Sequence, residues 1–179
     1  MSWPALAQES RQGRAAELPP PHEASVVLRW GDPSDAPALF DLVSANLETG
    51  RLLPRDLDDL ALHGSRFTVA AGGDGSVIGC AELAPLGPRI AEVRSFVVDE
   101  PYRGAGIGTA LIQDIRRRAR RDGYGRLCAF THEPALFVRL GFSIVPHVWI
   151  PEKIATDCRT CALFRRCGQI AMMCGLHEM

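Results

Sequence analysis

Lysine is nearly absent from this chain: Lys153 is the only one, against nineteen arginines in 179 residues. Long apolar runs are missing too. None approaches the ~20 residues that span a bilayer, so no transmembrane helix is expected. The start holds no basic segment followed by an apolar stretch of about 7–15 residues, so no secretory signal is read there and a cytoplasmic location is expected. Charge of one sign is not in excess. Lys plus Arg total 20, Asp plus Glu total 21, and the formal net charge is -1. Such a balance gives no overall field for nucleic acid or a membrane surface. What is present is ordinary for a globular chain, with 46% hydrophobic and 23% charged residues. That argues against extensive disorder and fits one domain with a sizeable core. Six cysteines in a cytoplasmic chain read as thiols or metal ligands rather than a disulfide framework.

Residues 1–24 read as a disordered tail, with the run Pro19-Pro20-Pro21 and no periodicity; the folded domain is expected over 25–179. Val26–Trp30 is strand-like. Asp32-Pro33-Ser34-Asp35 supplies capping side chains for a helix over Ala36–Leu47, and a short helix is expected over Pro54–Leu62. Strands at Arg66–Ala71 and Ser76–Leu83 flank the turn Gly72-Gly73-Asp74-Gly75 and form a hairpin. Pro85–Pro88 are expected to break the chain before a strand at Ile90–Val98. Ile107, Leu111, Ile115 and Ala119 recur every four residues, the buried stripe of a helix ending near Gly123. A strand at Arg126–Thr131, a helix at Pro134–Leu140 and strands at Phe142–Val145 and Gln169–Met173 follow. The order implies an α/β fold: a mixed central β-sheet flanked by helices, with one parallel crossover.

The crossover begins at a glycine-rich turn, Arg103-Gly104-Ala105-Gly106-Ile107-Gly108-Thr109, placed between a strand and an amphipathic helix. Glycines let backbone N–H groups approach an anion, and the helix N-terminus adds free donors and a positive dipole end. The turn offers phosphate binding. No Lys-Ser/Thr follows the glycines, so it is not a P-loop.

This stretch resembles the Arg/Gln-x-x-Gly-x-Gly/Ala motif of the GNAT acetyltransferases, and Leu140-Gly141-Phe142 resembles the family's closing Gly-Phe pair. The resemblance implies a GNAT fold over about residues 26–175 and acetyl-CoA as cosubstrate. It assigns the pyrophosphate to Arg103, Gly104, Ala105, Gly106, Ile107, Gly108 and Thr109, mostly through backbone N–H groups. It gives the pantetheine and the acetyl carbonyl to backbone groups of Val97 and Val98. The implied reaction is direct acyl transfer to an amine, which must first lose a proton. Glu92 is the candidate base, directly or through water. Strand alternation puts Glu92 and Arg94 on one face, Val93 and Ser95 on the other. Where many GNAT enzymes carry a Tyr as general acid, this chain has Phe137, so thiolate protonation falls to solvent.

Several segments are similar to the acetyltransferase domain of N-acetylglutamate synthases: Glu92–Val98, Cys128–Thr131, Phe137–Phe142, Pro151-Glu152-Lys153 and a basic pair before Ile170-Ala171-Met172. The resemblance implies acetylation of the glutamate α-amine, a step of arginine synthesis, by a form with no amino-acid-kinase-like domain. Glutamate carries two carboxylates, and each wants a fixed cation. Arg94, Lys153, Arg165 and Arg166, with Thr131, are the substrate-binding candidates. The alternatives are another amine, such as glutamine, a xenobiotic amine or a protein N-terminus, and a coenzyme A-binding thiol or metal sensor.

Cys158-x2-Cys161-x5-Cys167, then Cys174 and His177, enrich the segment 156–175 in thiols. A zinc site, a redox pair and plain buried thiols all remain open, although the ligand spacing is irregular for zinc and no metal is assigned. Cys80 and Cys128 are expected in the core. Arg116-Arg117-Arg118 and Arg120-Arg121 read as a solvated helix end, with no nucleic-acid motif beside them. The expected partner is a small amino acid, with a second copy of the chain as a candidate and neither nucleic acid nor membrane.

Overall fold

Asp32 and Asp35 close a reciprocal cap where the chain leaves its first strand. The Asp32 carboxylate accepts from the Ser34 N–H at 2.7 Å, and the Asp35 carboxylate accepts from the Asp32 N–H at 2.9 Å. Such caps satisfy donors the helix start cannot pair itself. The computed structural model describes residues 25–50 and 52–176. The expected tail, 1–24, and His177 lie outside them. In chain order the elements are β1 (Val27–Trp30), α1 (Ala36–Ala45), α2 (Leu47–Gly50), α3 (Leu57–His63), β2 (Phe67–Ala71), β3 (Val77–Gly87), β4 (Ile90–Val98), α4 (Ile107–Arg121), β5 (Arg126–Thr131), α5 (Ala135–Arg139), β6 (Ser143–Ile144), α6 (Pro151–Thr156) and β7 (Ile170–Gly175). Among the described residues no helix is long and apolar enough to cross a membrane.

The strands form one sheet in the order β1-β2-β3-β4-β5-β7-β6. Its parallel pair is β4–β5, joined by the α4 crossover, and its other pairs are antiparallel. The α4 stripe, Ile107, Leu111, Ile115 and Ala119, packs on Ala91, Val93, Leu127 and Ala129. On the opposite face α1 and α3 cover Phe67, Val69, Cys80 and Val97 with Leu39, Val43 and Leu60. Each fully buried Leu, Ile or Phe contributes about 1.5–3 kcal/mol, so these two clusters are the main favourable contribution to folding.

Three expectations change. Pro85–Pro88 do not end the strand: β3 runs on to Gly87, with Pro85 still opposite Ala91 and Leu86 as the extra residue of a bulge before Gly87 meets Ile90. Arg118 is not solvated. It is 7% exposed and donates to the carbonyls of Ser65 and Phe67 and to the Thr68 hydroxyl, pinning α4 to β2. Third, strand alternation fails in β4. Glu82 faces Arg94 and Cys80 faces Val97, so Ser95 and Phe96 together oppose Ala81. Ser95 takes φ 45 at this bulge. Phe96 and Val98 then pack with Val93 on the α4 side, while Val97 packs on the α1 side.

Candidate active site

The glycine-rich turn is built as an anion cradle. Gly104 and Gly106 take φ 84 and φ 83, left-handed conformations that other residues adopt at a cost. Gly106 caps the 15-residue α4. Among the described residues, no backbone carbonyl accepts from the N–H groups of residues 104–109, whereas those of Tyr102, Arg103 and Ala110 are paired. Six consecutive free donors at a helix N-terminus suit a phosphate. The Arg103 side chain braces the turn. Its Nε donates to the Val98 carbonyl at 2.9 Å and its Nη2 to the buried Asn46 at 2.8 Å.

Next to the bulge the sheet opens. β4 and β5 pair from Ile90↔Arg126 to Val93↔Ala129 and no further. Beyond that point β5 stays with β7, through Phe130↔Ala171 and Thr131↔Ile170. The gap is a pocket of 620 Å³ lined by Arg94, Ser95 and Phe96 on one side and Ala129–His132 on the other. That volume falls in the usual range of small-molecule sites, ~300–1,000 Å³.

Charged side chains converge on its floor. Lys153, from α6, donates to both oxygens of Glu92 at 2.7 and 2.9 Å and to Asp157 at 2.8 Å. Arg94 Nε donates to Glu92 Oε2 at 2.7 Å, and its Nη2 pairs with Asp157. Glu92 is 3% exposed. Burial pushes the Asp157 carboxyl up, but its bond to Lys153 and the charges of Lys153 and Arg94 outweigh this and hold it below the ordinary carboxylate range. A second knot lies alongside. Arg55 donates through Nη1 to Glu82 at 2.7 Å and Ser95 at 2.6 Å, and through Nη2 to Asp59 at 2.5 Å. Ser95 therefore shares the face of Arg94, contrary to simple alternation; the bulge turns it there.

The structure brings Glu92, Arg94, Thr131 and Lys153 to one pocket. It does not bring Arg165 and Arg166, which are exposed on a 3-10 turn at Phe164–Arg166 and do not line the pocket. Val97 is buried under α1 and α3 and Val98 is half-buried. Phe137 is 3% exposed and packs edge-on between Phe96 and Phe142. Neither tyrosine, Tyr102 or Tyr124, lines the pocket. Arg55, Glu82, Asp59 and Asp157 escaped the sequence analysis. Arg55 precedes a short helix with no motif around it, and only the fold carries it across to β3 and β4.

The cysteines divide. Cys80 and Cys128 are buried as expected, and burial pushes the Cys80 thiol up to about 12. Cys174 joins the α4-side core, so it is not a fourth member of the cluster. Cys158, Cys161 and Cys167 line the pocket. Among the described residues no group of three or more His, Cys, Asp or Glu is placed to hold a metal ion.

Comparisons with known proteins agree with this geometry. Residues 36–142 match the model of the Acetyltransferase (GNAT) family. An uncharacterized N-acetyltransferase of Chlorobaculum tepidum is 30% identical over 150 residues, which cover 84% of this chain and 96% of that protein. The amino-acid acetyltransferase of Shewanella oneidensis is 34% identical over 153 residues, covering 83% of this chain and 34% of that protein. A crystal structure of N-acetylglutamate synthase from Neisseria gonorrhoeae, complexed with coenzyme A and N-acetyl-glutamate, superposes with a TM-score of 0.76 at 27% identity. It covers 87% of this chain and 36% of that one, so this chain spans about a third of the length of the latter two proteins. With the anion cradle, the bulged β4 and the parted β4–β5 pair, these matches place the protein: the chain belongs to the acetyltransferase (GNAT) family and is an N-acetyltransferase.

Proposed function

We propose that this enzyme transfers the acetyl group of acetyl-CoA to the α-amine of L-glutamate, as in the first step of arginine synthesis. The observation that carries the reading is the meeting of Arg94 from β4 and Lys153 from α6 at one end of the pocket. Paired cations on a rigid strand and helix suit a substrate with two carboxylates. The likeness to amino-acid acetyltransferases and to the Neisseria synthase supports it. Six free N–H groups and the open space beside Gly104 and Gly106 fit the pyrophosphate of acetyl-CoA.

In this reading Arg94 and Lys153 receive the carboxylates, and Asp157 holds both cations in place until substrate arrives. Arg55 is a further candidate cation beside them. Glu92 takes the proton of the ammonium group. Its Oε1 has one hydrogen-bond partner, Lys153, and keeps a second acceptor site for the amine or a water. The carbonyl carbon of the thioester is attacked by the free amine, and coenzyme A leaves as thiolate. With Phe137 at the acid position, solvent protonates it.

One observation favours a second reading, a different amine. Arg55, Arg94 and Lys153 are already paired with Asp59, Glu82, Glu92 and Asp157, three cations against four carboxylates, so a neutral or cationic amine would meet a pocket with no cation to spare. Loss of thioester absorbance with glutamate, glutamine, aspartate, ornithine and no amine separates the two. Turnover selective for glutamate supports the first reading, and turnover with another amine alone overturns it.

A further inference from the structure

We propose that Cys158 and Cys161 form a dithiol modification site at the rim of the amine pocket. It closes to a disulfide by exchange with a low-molecular-weight disulfide, and the closed form binds the amine substrate more weakly. The effect on substrate rests on the reading of this pocket as the amine site; the bond itself does not.

Geometry permits the bond. The two residues bracket one 3-10 turn, in which the Cys161 N–H donates to the Cys158 carbonyl at 3.1 Å. A turn closed by such a bond brings its first and fourth Cα atoms within about 7 Å. Disulfides span about 4.4–6.8 Å between Cα atoms. Both thiols are free and half-buried, and both line the pocket, so a small disulfide can reach them. Cys80, Cys128 and Cys174 are buried and cannot compete; Cys167 is exposed on the same pocket and is the one rival, but only Cys158 and Cys161 share a closed turn. Cys161 as thiolate attacks one sulfur of R–S–S–R and releases R–S⁻. The Cys158 thiolate then attacks the Cys161 sulfur of the mixed disulfide and releases the second R–S⁻. Two protein thiols are oxidised and one small disulfide is reduced to two thiolates, which take up the two protons the protein thiols gave to solvent.

The site touches the substrate machinery through one residue. Asp157 precedes Cys158 and pairs with both Lys153 and Arg94. Its N–H donates to the Lys153 carbonyl at 3.0 Å, which makes the cysteine turn an extension of α6. A disulfide across residues 158–161 stiffens that turn and keeps Asp157 on the two cations. An incoming carboxylate then has to compete with a fixed one instead of a mobile one.

The test equilibrates the full chain, without substrate, in buffers of graded reduced to oxidised glutathione, followed by acid quench, alkylation and trypsin. Cleavage after Arg159 leaves Cys158 and Cys161 on separate peptides, so a linked pair reports this bond alone. The expected result is a linked Cys158–Cys161 pair that dithiothreitol removes and that Cys161→Ser abolishes. In the oxidised form the KM for the amine rises about ten-fold, with the KM for acetyl-CoA unchanged. Alkylated, unlinked Cys158 and Cys161 in excess oxidised glutathione, or a link from either of them to Cys167, overturn the site. A linked pair with an unchanged amine KM overturns the coupling to Asp157. Turnover of a different amine, or of none, refutes the glutamate reading and leaves the mass result to judge the dithiol site separately.

Discussion

Lys153 Nζ lies 2.7 Å from Glu92 Oε1 and 2.9 Å from Oε2, joining α6 to the strand that feeds the anion cradle. The sole lysine of the chain thus holds a carboxylate that is 3% exposed. Lys153→Ala leaves that carboxylate to Arg94 alone. Removing one partner of a buried pair costs about 3–5 kcal/mol; with Arg94 still in place the loss should fall at or below the lower end. A fall in Tm and an amine KM raised by at least ten-fold, with acetyl-CoA KM unchanged, are expected from thermal melts and steady-state kinetics. Lys153→Arg should recover Tm more than KM, because the guanidinium fork can still engage both Glu92 oxygens, while its bulk and planarity do not reproduce the compact ammonium that also reaches Asp157.

Arg55 and Glu82 make a stricter test of the second knot. Glu82 is 2% exposed, and Arg55 Nη1 is its partner at 2.7 Å. Arg55→Leu strands that carboxylate and should destabilise by about 3 kcal/mol. Adding Glu82→Gln should restore part of the loss. Denaturant titrations of both single variants and the double variant measure the coupling, and additivity would show that the pair does not interact.

Gly106→Ala separates backbone strain from crowding. The residue has φ 83 and nothing within 4 Å of an added Cβ, so the cost is conformational, about 1–2 kcal/mol. Acetyl-CoA KM should rise several-fold while the amine KM stays constant. Gly108→Ala acts differently, because its Cβ would meet Phe96 at 3.1 Å and press on the bulge.

Acid should loosen the first helix. The Arg29 hydrogen bonds to Asp35, at 2.6 and 2.7 Å, hold the Asp35 carboxyl below its ordinary range against the opposing effect of burial. The folded value lies below the unfolded one, about 3.9. The stabilisation is therefore complete above the unfolded value and is lost as pH falls through the folded one. Asp35→Asn should cost about 1–2 kcal/mol at neutral pH, as loss of a cap does. That difference should shrink as pH falls below about 4, read from melts across the acid range.

Much of this was legible in the sequence because it depends on neighbours along the chain. The Asp32 cap, the turn at Gly72–Gly75, the α4 stripe and the glycines that need left-handed φ follow from local sterics and 3.6-residue periodicity. The cradle at residues 103–109 and its resemblance to the GNAT motif came from the same local order.

The site itself depends on contacts between residues far apart in the chain. Period-two alternation gave Glu92 and Arg94 one face correctly and then failed at Ser95, because a bulge is set by the pairing partner, β3. Arg165 and Arg166 matched a family pattern, yet the short turns after α6 leave them in solvent. Arg55 carried no motif. It became part of the site only when α3 packed against the sheet beside Glu82 and Ser95. Strands β1, β2, β4 and β5, the α4 crossover and the anion-binding turn follow from backbone conformations that each residue prefers, whereas α6, which carries Lys153, is not among the expected elements. Which cations meet which carboxylates is a matter of tertiary structure, because side chains 61 residues apart, such as Glu92 and Lys153, meet only once α6 has folded back over β4.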